Sequence, residues 1–286
     1  MFNRRKYWHT PPLDILGGGL PHQTPSITLH APPQAARTVT LKQTIATQHW
    51  SAHRTPTSAA LGIDEQGTPV YIDVARMPHM LIAGATGSGK SVALDAILCS
   101  LLYCASPSQM QLVLIDPKRV ELGAYAGLPH LARPIVTDTA EAIRTLQQAE
   151  AAMDNRYKAL ERGKPIGPRM VIVIDELADL MLTSRKVVEH SIVRIAQLGR
   201  AAGVHLILAT QKPLVSVVTG LIQANTPCKL ALQTASTGDS VRILGHKGAE
   251  KLLGRGDALL KLPDRTEEIR LQCAYTSEQD VAAIVQ

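Results

Sequence analysis

Short apolar runs recur along the chain and alternate with stretches of helical periodicity. The runs are MLIA (80–83), LVLID (112–116), MVIVID (170–175), VHLILAT (204–210) and CKLALQT (228–234). Nearly continuous apolar runs are typical of strands that are buried on both faces. Helical periodicity marks residues 91–104, 139–161 and 185–202. This alternation predicts an α/β fold, a mostly parallel sheet flanked by helices.

Further elements are predicted on either side of this core. ALGIDEQGTPVYIDV (60–74) predicts a hairpin that turns at Glu65–Gly67, and RTVTLKQTI (37–45) alternates polar and apolar residues like one strand. DALLKL (257–262) and EIRLQCAYT (268–276) predict two more strands, and SEQDVAAIV (277–285) predicts a final helix.

The first 60 residues differ from the rest in composition. They hold seven of the 18 prolines, and their six Lys/Arg face a single acid, Asp14. Of the net charge of +6, residues 61–286 therefore carry only +1, from 24 basic and 23 acidic residues. We divide the chain into a basic, Pro-rich and partly extended N-terminal segment (1–60) and one α/β domain (61–286). The segment could contact nucleic acid or anionic lipid, although a solvated tail is the commoner role.

The sequence predicts a cytoplasmic protein. No apolar run approaches the roughly 18 residues that a membrane-spanning helix needs, and the N-terminus lacks the apolar core of a secretory signal. The four cysteines, Cys99, Cys104, Cys228 and Cys273, lie in apolar surroundings without a C-x-x-C pair. This is typical of buried thiols in a reducing compartment.

The stretch GATGSGKS lies between the MLIA strand and the following helix and fits the pattern G-x-x-x-x-G-K-S. Its glycines let the backbone take positive φ and approach an anion, which the N–H groups and the helix end then bind. Lys90 would reach the β- and γ-phosphates, and the Ser91 hydroxyl would bind Mg²⁺. The loop predicts a site for ATP and Mg²⁺, with an ordinary glycine-rich turn as the weaker alternative. The expected nucleotide-binding residues are Gly84, Ala85, Thr86, Gly87, Ser88, Gly89, Lys90 and Ser91.

Polar residues that follow the other apolar strands complete the candidate chemistry. Asp175 would bind Mg²⁺ at the carboxyl edge of the sheet, and Glu176 would polarise the attacking water, unless the pair only caps a helix. Gln211 suits a sensor of the γ-phosphate or, equally, a turn. Arg200 lies near a helix end before Gly203, where complementing the helix dipole explains it without any catalytic role. With the phosphate loop, these residues favour nucleotide hydrolysis over a binding-only switch.

Several long stretches resemble the FtsK/SpoIIIE family of DNA translocases, over residues 61–286. This resemblance implies a RecA-like P-loop ATPase that assembles as a hexameric ring and pumps double-stranded DNA. It also implies that Asp175 and Glu176 form the Walker B pair, that Gln211 is the sensor, and that Arg200 is a finger for the neighbouring subunit's ATP. The stretches are MPHMLIAGATGSGKS (77–91), LVLIDPKRVELGAYAGLPHL (112–131), VIDELADLM (173–181), RAAGVHLILATQKP (200–213), GLIQANTP (220–227) and GAEKLLGRGDAL (248–259).

The chain departs from the family pattern in two loops and at its ends. Lys212 replaces the usual arginine of TQRP, and Val241 replaces that of DSR, with Arg242 one residue later. Because these loops are expected to face the pore of the ring, Lys212 and Arg242 are the candidate DNA contacts. We also expect a minimal motor, without a membrane anchor or C-terminal winged-helix reader, as would suit a mobile element, phage or plasmid.

The main hypothesis is an ATP-driven translocase of double-stranded DNA that works as a ring and hydrolyses ATP at subunit interfaces. Residues 61–286 contain no Trp or Phe and only five Tyr, whereas single-strand binders rely on aromatic platforms. The alternative is an ATP-gated interaction module or coupling ATPase of a mobile-element DNA-transfer system, which the near-neutral domain charge favours. A small-molecule kinase is a weaker third hypothesis, since no motif suggests a phosphoacceptor pocket.

Overall fold

A computed structural model describes Pro11, Leu13 and residues Thr38–Val285, which form a ten-stranded sheet with helices on both faces. The strands are β1 Val39–Thr40, β2 Ser58–Asp64, β3 Pro69–Asp73, β4 His79–Ala83, β5 Met110–Ile115, β6 Arg169–Ile174, β7 Val204–Thr210, β8 Cys228–Leu232, β9 Asp257–Lys261 and β10 Ile269–Tyr275. The helices are α1 Leu41–Ile45, α2 Gln48–His53, α3 Lys90–Cys104, α4 Thr139–Glu161, α5 Leu177–Ala202, α6 Gly220–Asn225, α7 Thr237–Leu244 and α8 Glu278–Val285.

The sheet has a parallel half and an antiparallel half. Strands β8, β4, β7, β6 and β5 are neighbours in that order, and all their pairings are parallel. From β8 the order continues through β9, β10, β2 and β3 in antiparallel pairings, and β1 pairs with β10 in parallel. The connections between β2 and β3 and between β9 and β10 are too short for the crossover that a parallel pair needs. The predicted α/β fold is confirmed, with a mixed sheet.

Two separate cores cover the two faces of the sheet, and β4 contributes to both. Met80 and Ile82 face the core formed with α1, α2, α3 and α8. Leu81 and Ala83 face the core formed with α4, α5, α6 and α7. Since successive strand residues point to opposite faces, a strand between two cores must be apolar at every position. The continuous apolar runs in the sequence have this cause.

The prediction of one strand over residues 37–45 is wrong for the described part of that range. After the two residues of β1, the Thr40 hydroxyl accepts a hydrogen bond from the Gln43 N–H, and the Gln43 side chain accepts one from the Thr40 N–H. This capping box starts α1 at Leu41. Leu41 and Ile45 then bury one side of a short helix.

Other elements agree with their predictions, apart from one helix start. The hairpin turns at residues 65–68, between β2 and β3, and α4 has the predicted bounds. Helix α5 begins at Leu177, eight residues before the predicted start at Arg185, because it continues across a kink at Ser184 (φ −149°, ψ 59°).

The description of the N-terminal part begins at Thr38, apart from Pro11 and Leu13, so most of the predicted segment lies outside it. Within the described part, α1, α2 and the first residues of β2 fall before residue 61, and Trp50 is buried in the core. The four cysteines are free thiols. No described helix has the length and apolarity that crossing a membrane requires.

Gly62 offers a test of the strand packing. It lies at a bulge in β2 with φ +151°, and an added Cβ would sit 2.0 Å from the carbonyl oxygen of Gln272 in β10. We expect Gly62→Ala to lower the free energy of unfolding by about 3 kcal/mol, since backbone would have to move. The control is Gly123→Ala, where nothing lies within 4 Å. Denaturant unfolding of both variants checks this, and equal stabilities would contradict it.

Candidate nucleotide site

The glycine-rich loop at the carboxyl end of β4 has a backbone conformation that requires glycine. Gly87 and Gly89 have φ of 78° and 101°, values that only glycine adopts without strain. A Cβ at Gly89 would lie 2.6 Å from the Gly256 nitrogen, whose N–H donates to the Ser88 carbonyl at 2.8 Å. The loop is therefore preformed, and its last glycine has no room for a side chain.

Lys90 and Asp175 form a buried ion pair beside this loop. The Lys90 Nζ donates to the Asp175 Oδ1 at 2.5 Å and to its backbone carbonyl at 2.8 Å, and both side chains are almost fully buried. Burial raises the pKa of Asp175 above its ordinary value, and the charge of Lys90 offsets only part of the rise. The pair joins the start of α3 to the end of β6.

The second Asp175 oxygen, Oδ2, is buried without a hydrogen-bond partner among the described residues. A buried carboxylate oxygen without a partner is costly, and carboxylate oxygens are ligands that Mg²⁺ prefers. Ser91, half-buried in the first turn of α3, follows the lysine that pairs with Asp175. These residues fit a divalent cation bound together with a phosphate.

Glu176 is fully buried and held by several donors. Its Oε1 accepts from the Thr210 hydroxyl at 2.6 Å and from the Ala178 N–H at 3.3 Å, and its Oε2 accepts from the Lys118 Nζ at 3.1 Å and the Gln211 N–H at 3.2 Å. Burial alone would raise the pKa of Glu176, but these hydrogen bonds outweigh it and hold the pKa below its ordinary value. Glu176 is thus an ionised carboxylate that also caps α5.

The Gln211 side chain touches the phosphate loop. Its Oε1 accepts a hydrogen bond from the Thr86 hydroxyl at 2.8 Å, while its backbone N–H donates to Glu176. The carboxyl ends of β4, β6 and β7 are adjacent, so the structure brings the loop, Asp175, Glu176 and Gln211 together at one sheet edge.

Lys118 is a site residue that the sequence analysis did not single out. It lies two residues after Asp116, in the loop that follows β5, and β5 is the neighbour of β6 in the sheet. Parallel strands end at the same edge, so a cation just after β5 lies beside the carboxylates after β6. The side chain is 35% exposed, whereas its partner Glu176 is 0% exposed.

The structure places Arg200 away from this edge. Its side chain is exposed in the last turn of α5, before Gly203 caps the helix with φ 64°. The segment from Arg185 to Ala202 alone is about 27 Å long, and α5 starts at the site. Arg200 therefore does not reach the phosphate loop of its own chain.

The two predicted DNA contacts lie on adjoining segments, the loop after β7 and helix α7. Lys212 is exposed directly after β7. Arg242 donates from Nη1 to the Pro213 carbonyl at 2.6 Å and to Asp239 at 3.1 Å. The guanidinium of Arg242 thus contacts the loop that carries Lys212.

The fold and the loop define a P-loop α/β ATPase. The profile of the FtsK/SpoIIIE family matches residues 40–165 and 160–215. The chain belongs to the FtsK/SpoIIIE family.

Relatives named as DNA translocases are similar over most of the chain. The DNA translocase FtsK of Lactiplantibacillus plantarum is 43% identical over 282 residues, which are 91% of this chain and 35% of the relative. The DNA translocase SftA of Bacillus subtilis is 42% identical over 278 residues, 91% of this chain and 29% of the relative. The chain thus spans about a third of the length of these relatives.

Two solved structures have the same fold. The pCW3 conjugation coupling protein TcpA, determined with ATPgS, has a TM-score of 0.69 and 28% identity over 79% of this chain and 68% of that one. The cytoplasmic domain of the type VII secretion ATPase EccC of Thermomonospora curvata has a TM-score of 0.71 and 25% identity over 86% and 34%.

The ion pair at this site predicts a pH-dependent loss of stability. We expect Lys90→Met to lower the free energy of unfolding by about 3–5 kcal/mol at pH 8, since it leaves the buried Asp175 charge without a partner. The folded-state pKa of Asp175 then rises further. The unpaired carboxylate destabilises the fold at pH values above that pKa, and the destabilisation disappears as falling pH protonates the carboxyl. The loss of unfolding free energy relative to wild type is therefore smaller at pH 5 than at pH 8.

The matched control is the double variant Lys90→Met/Asp175→Asn, which should recover most of the lost stability at pH 8. Denaturant unfolding of the three proteins at both pH values measures the coupling. A deficit that is equal at both pH values, or that Asp175→Asn does not reduce, would contradict the ion-pair account.

Proposed function

We propose that the chain is an ATP-driven motor for double-stranded DNA that binds ATP at residues 84–91 and hydrolyses it with Glu176 as the general base. The observation that carries this proposal is the meeting of the preformed loop, the Lys90–Asp175 pair and the ionised Glu176 at one sheet edge. The relatives named as DNA translocases support the substrate.

In the proposed reaction, the loop N–H groups and Lys90 hold the β- and γ-phosphates. Lys90 exchanges its bond to Asp175 for the phosphates, which frees Asp175. Asp175 and the Ser91 hydroxyl would then hold Mg²⁺, which would supply neutralisation of the charge that develops on the phosphate oxygens. Glu176 orients a water for in-line attack and takes its proton.

The bonds to Glu176 keep it ionised but weakly basic, because they hold its pKa low. A base is most effective when its pKa is near the working pH. Release of Lys118 from Glu176 would raise the pKa of the carboxylate towards that range. We propose that ATP binding, which places new charge beside both lysines, causes this release.

DNA is proposed to bind at the loop after β7 and at α7. Lys212 is exposed, and Arg242 has guanidinium N–H groups beyond the one that binds Pro213 and Asp239. Lys212 also directly follows Gln211, which bonds to both Glu176 and Thr86. A contact between Lys212 and a DNA phosphate therefore lies one residue from the hydrolytic site.

The second candidate is a coupling ATPase of a DNA-transfer apparatus. The similarity to the conjugation coupling protein TcpA, 28% identical over 79% of this chain, favours it. Such a module would dock a partner and bind duplex DNA weakly. The effect of DNA on ATP turnover distinguishes the two functions.

We expect duplex DNA to stimulate ATP turnover in a sequence-tolerant way and more weakly as salt rises, because the contacts release counterions from phosphates. Lys212→Ala should reduce the ratio of DNA-stimulated to basal turnover, whereas the exposed Lys164→Ala should not. Turnover that DNA leaves unchanged would contradict the motor and favour the coupling module.

Glu176→Gln should bind ATP and hydrolyse it about 10²–10⁴ times more slowly than wild type, with Glu161→Gln as the control.

Arg200 is proposed to stabilise the transition state at a neighbour's ATP in a ring, hexameric as the family resemblance implies. Arg200→Ala should then reduce turnover by about 10³–10⁵, whereas loss of a helix-dipole contact would not affect catalysis. Mixing Arg200→Ala with Lys90→Ala subunits should restore partial activity, since intact loops then meet intact arginines. Normal turnover by Arg200→Ala, or no rescue in mixed rings that do form, would refute this role.

A further inference from the structure

A cleft of about 550 Å³ at the amino-terminal edge of the parallel strands is lined by three arginines. Arg76 lies shortly before β4, Arg169 is the first residue of β6, and Arg200 lies in the last turn of α5. We call this the arginine cleft. It lies at the edge of the sheet opposite to the phosphate loop.

No carboxylate of the described residues forms an ion pair with these three guanidinium groups. Among the residues that the structure describes, every ion pair of an arginine involves a different arginine, namely Arg133, Arg185, Arg194, Arg242 or Arg270. One acid, Asp73, lines the cleft, and its carboxylate accepts from the Thr57 hydroxyl at 2.6 Å, the Ala75 N–H at 2.9 Å and the Thr55 hydroxyl at 3.1 Å. The cleft therefore has an excess of positive charge.

The walls of the cleft are fixed to each other. Arg156 donates to the carbonyls of Ala202 and Gly203 at 3.0 and 3.2 Å and to that of Pro168 at 2.8 Å. The Tyr157 hydroxyl donates to the Leu198 carbonyl at 2.6 Å. These bonds tie the segments that carry Arg169 and Arg200 to α4. Arg169 and Arg200 are thus presented by a preorganised frame, which lowers the entropic cost of binding.

The positive potential extends into the protein below the cleft. Burial, and after it the nearby charge of Arg169, lower the pKa of the buried His205 to about 4. The ring of His79 is tilted by 39° relative to that of His205, with the centroids 6.4 Å apart, and burial and then the charge of His205 lower the pKa of His79 to about 3. Both rings are neutral at physiological pH and add nothing to the charge, so the positive charge of the cleft comes from the arginines.

We propose that the arginine cleft binds the phosphates of the nucleotide held by a neighbouring copy of this chain, with Arg76 and Arg169 acting beside Arg200. The inference rests on the proposed ring and adds two residues to its interface. Guanidinium groups match phosphate oxygens with paired hydrogen bonds, so three unpaired ones suit a polyphosphate.

The geometry excludes the chain's own nucleotide as the ligand. From Arg169 to Asp175, β6 advances about 20 Å, which no arginine side chain bridges. The cations that the structure places at the site, Lys90 and Lys118, are both lysines, and the proposed reaction moves each of them from a carboxylate towards the phosphates. A second copy that presents its arginine cleft would add guanidinium groups, which bind phosphate oxygens with paired hydrogen bonds.

The test uses the full chain with Arg76→Ala/Arg169→Ala and intact Arg200. We expect DNA-stimulated ATP turnover to fall about 10- to 100-fold, as for lost hydrogen bonds to charged groups. Mixing with Lys90→Ala subunits should restore part of the activity, which a purely structural defect would not allow. Arg76→Lys/Arg169→Lys should retain more activity than the alanine variant, and Arg162→Ala, outside the cleft at the end of α4, should match wild type.

Three results would overturn the inference. Wild-type turnover by the double alanine variant would show that Arg76 and Arg169 do not act on ATP. If Arg200→Ala were inactive in the same assay, the proposed function would still stand. An inactive double variant that Lys90→Ala does not rescue, although mixed assemblies form, would place the defect within its own subunit. If Arg200→Ala were fully active, both this inference and the proposed interfacial catalysis would fail.

Discussion

The buried ion pair of Lys90 and Asp175 is the interaction on which the arrangement of the site depends. Removing two charges from water costs several kcal/mol per ion, so such a pair is weak as a source of stability. It does fix geometry, because it joins the first residue of α3 to the end of β6 with two hydrogen bonds. The phosphate loop ends at Lys90, and Glu176 follows Asp175. This contact therefore links the end of the phosphate loop directly to the segment that carries Glu176.

A network of hydrogen bonds connects the nucleotide site to the exposed loop after β7. Glu176 accepts from Thr210 and from the Gln211 N–H, and the Gln211 side chain accepts from Thr86 of the loop. Any movement of the loop after β7 therefore changes the donors around Glu176 and, with them, its basicity. Lys212 lies in that loop, so nucleotide state and contact with an anionic polymer can influence each other without long-range rearrangement.

Much of this arrangement could be predicted because it is local in sequence. A strand, a glycine-rich turn and a helix follow each other within residues 79–104, and the order of apolar runs identifies the parallel strands. The position of Asp175, Glu176 and Gln211 at one edge follows from the rule that parallel strands end together. The sequence also contains a signal for the short helix at Leu41, because Thr40 and Gln43 have the spacing of a capping box. The polar–apolar alternation of the same stretch favours a strand instead, and that prediction is wrong.

What could not be predicted depends on contacts between distant segments. Lys118 pairs with a carboxylate 58 positions later, and its own sequence resembles any loop with a basic residue. Arg76 precedes β4, Arg169 begins β6 and Arg200 lies in the last turn of α5, and the fold brings these distant positions together. Their lack of acidic partners depends on the folded structure. Asp73 lies close to them, but its carboxylate accepts hydrogen bonds from the hydroxyls of Thr55 and Thr57.

The two edges of the sheet also restrict how copies of the chain can associate. The phosphate loop lies at the carboxyl edge of the parallel strands and the arginine cleft at the amino edge, about 20 Å apart along β6. In a two-fold symmetric dimer, both copies use the same surface. That surface would have to contain both edges of the sheet, or the two arginine clefts would face each other and repel. An assembly that joins cleft to loop must instead be head-to-tail, and such interfaces give rings when the rotation closes and filaments when it does not. In the proposed assembly, ring closure is therefore the step that would give every copy a complete site.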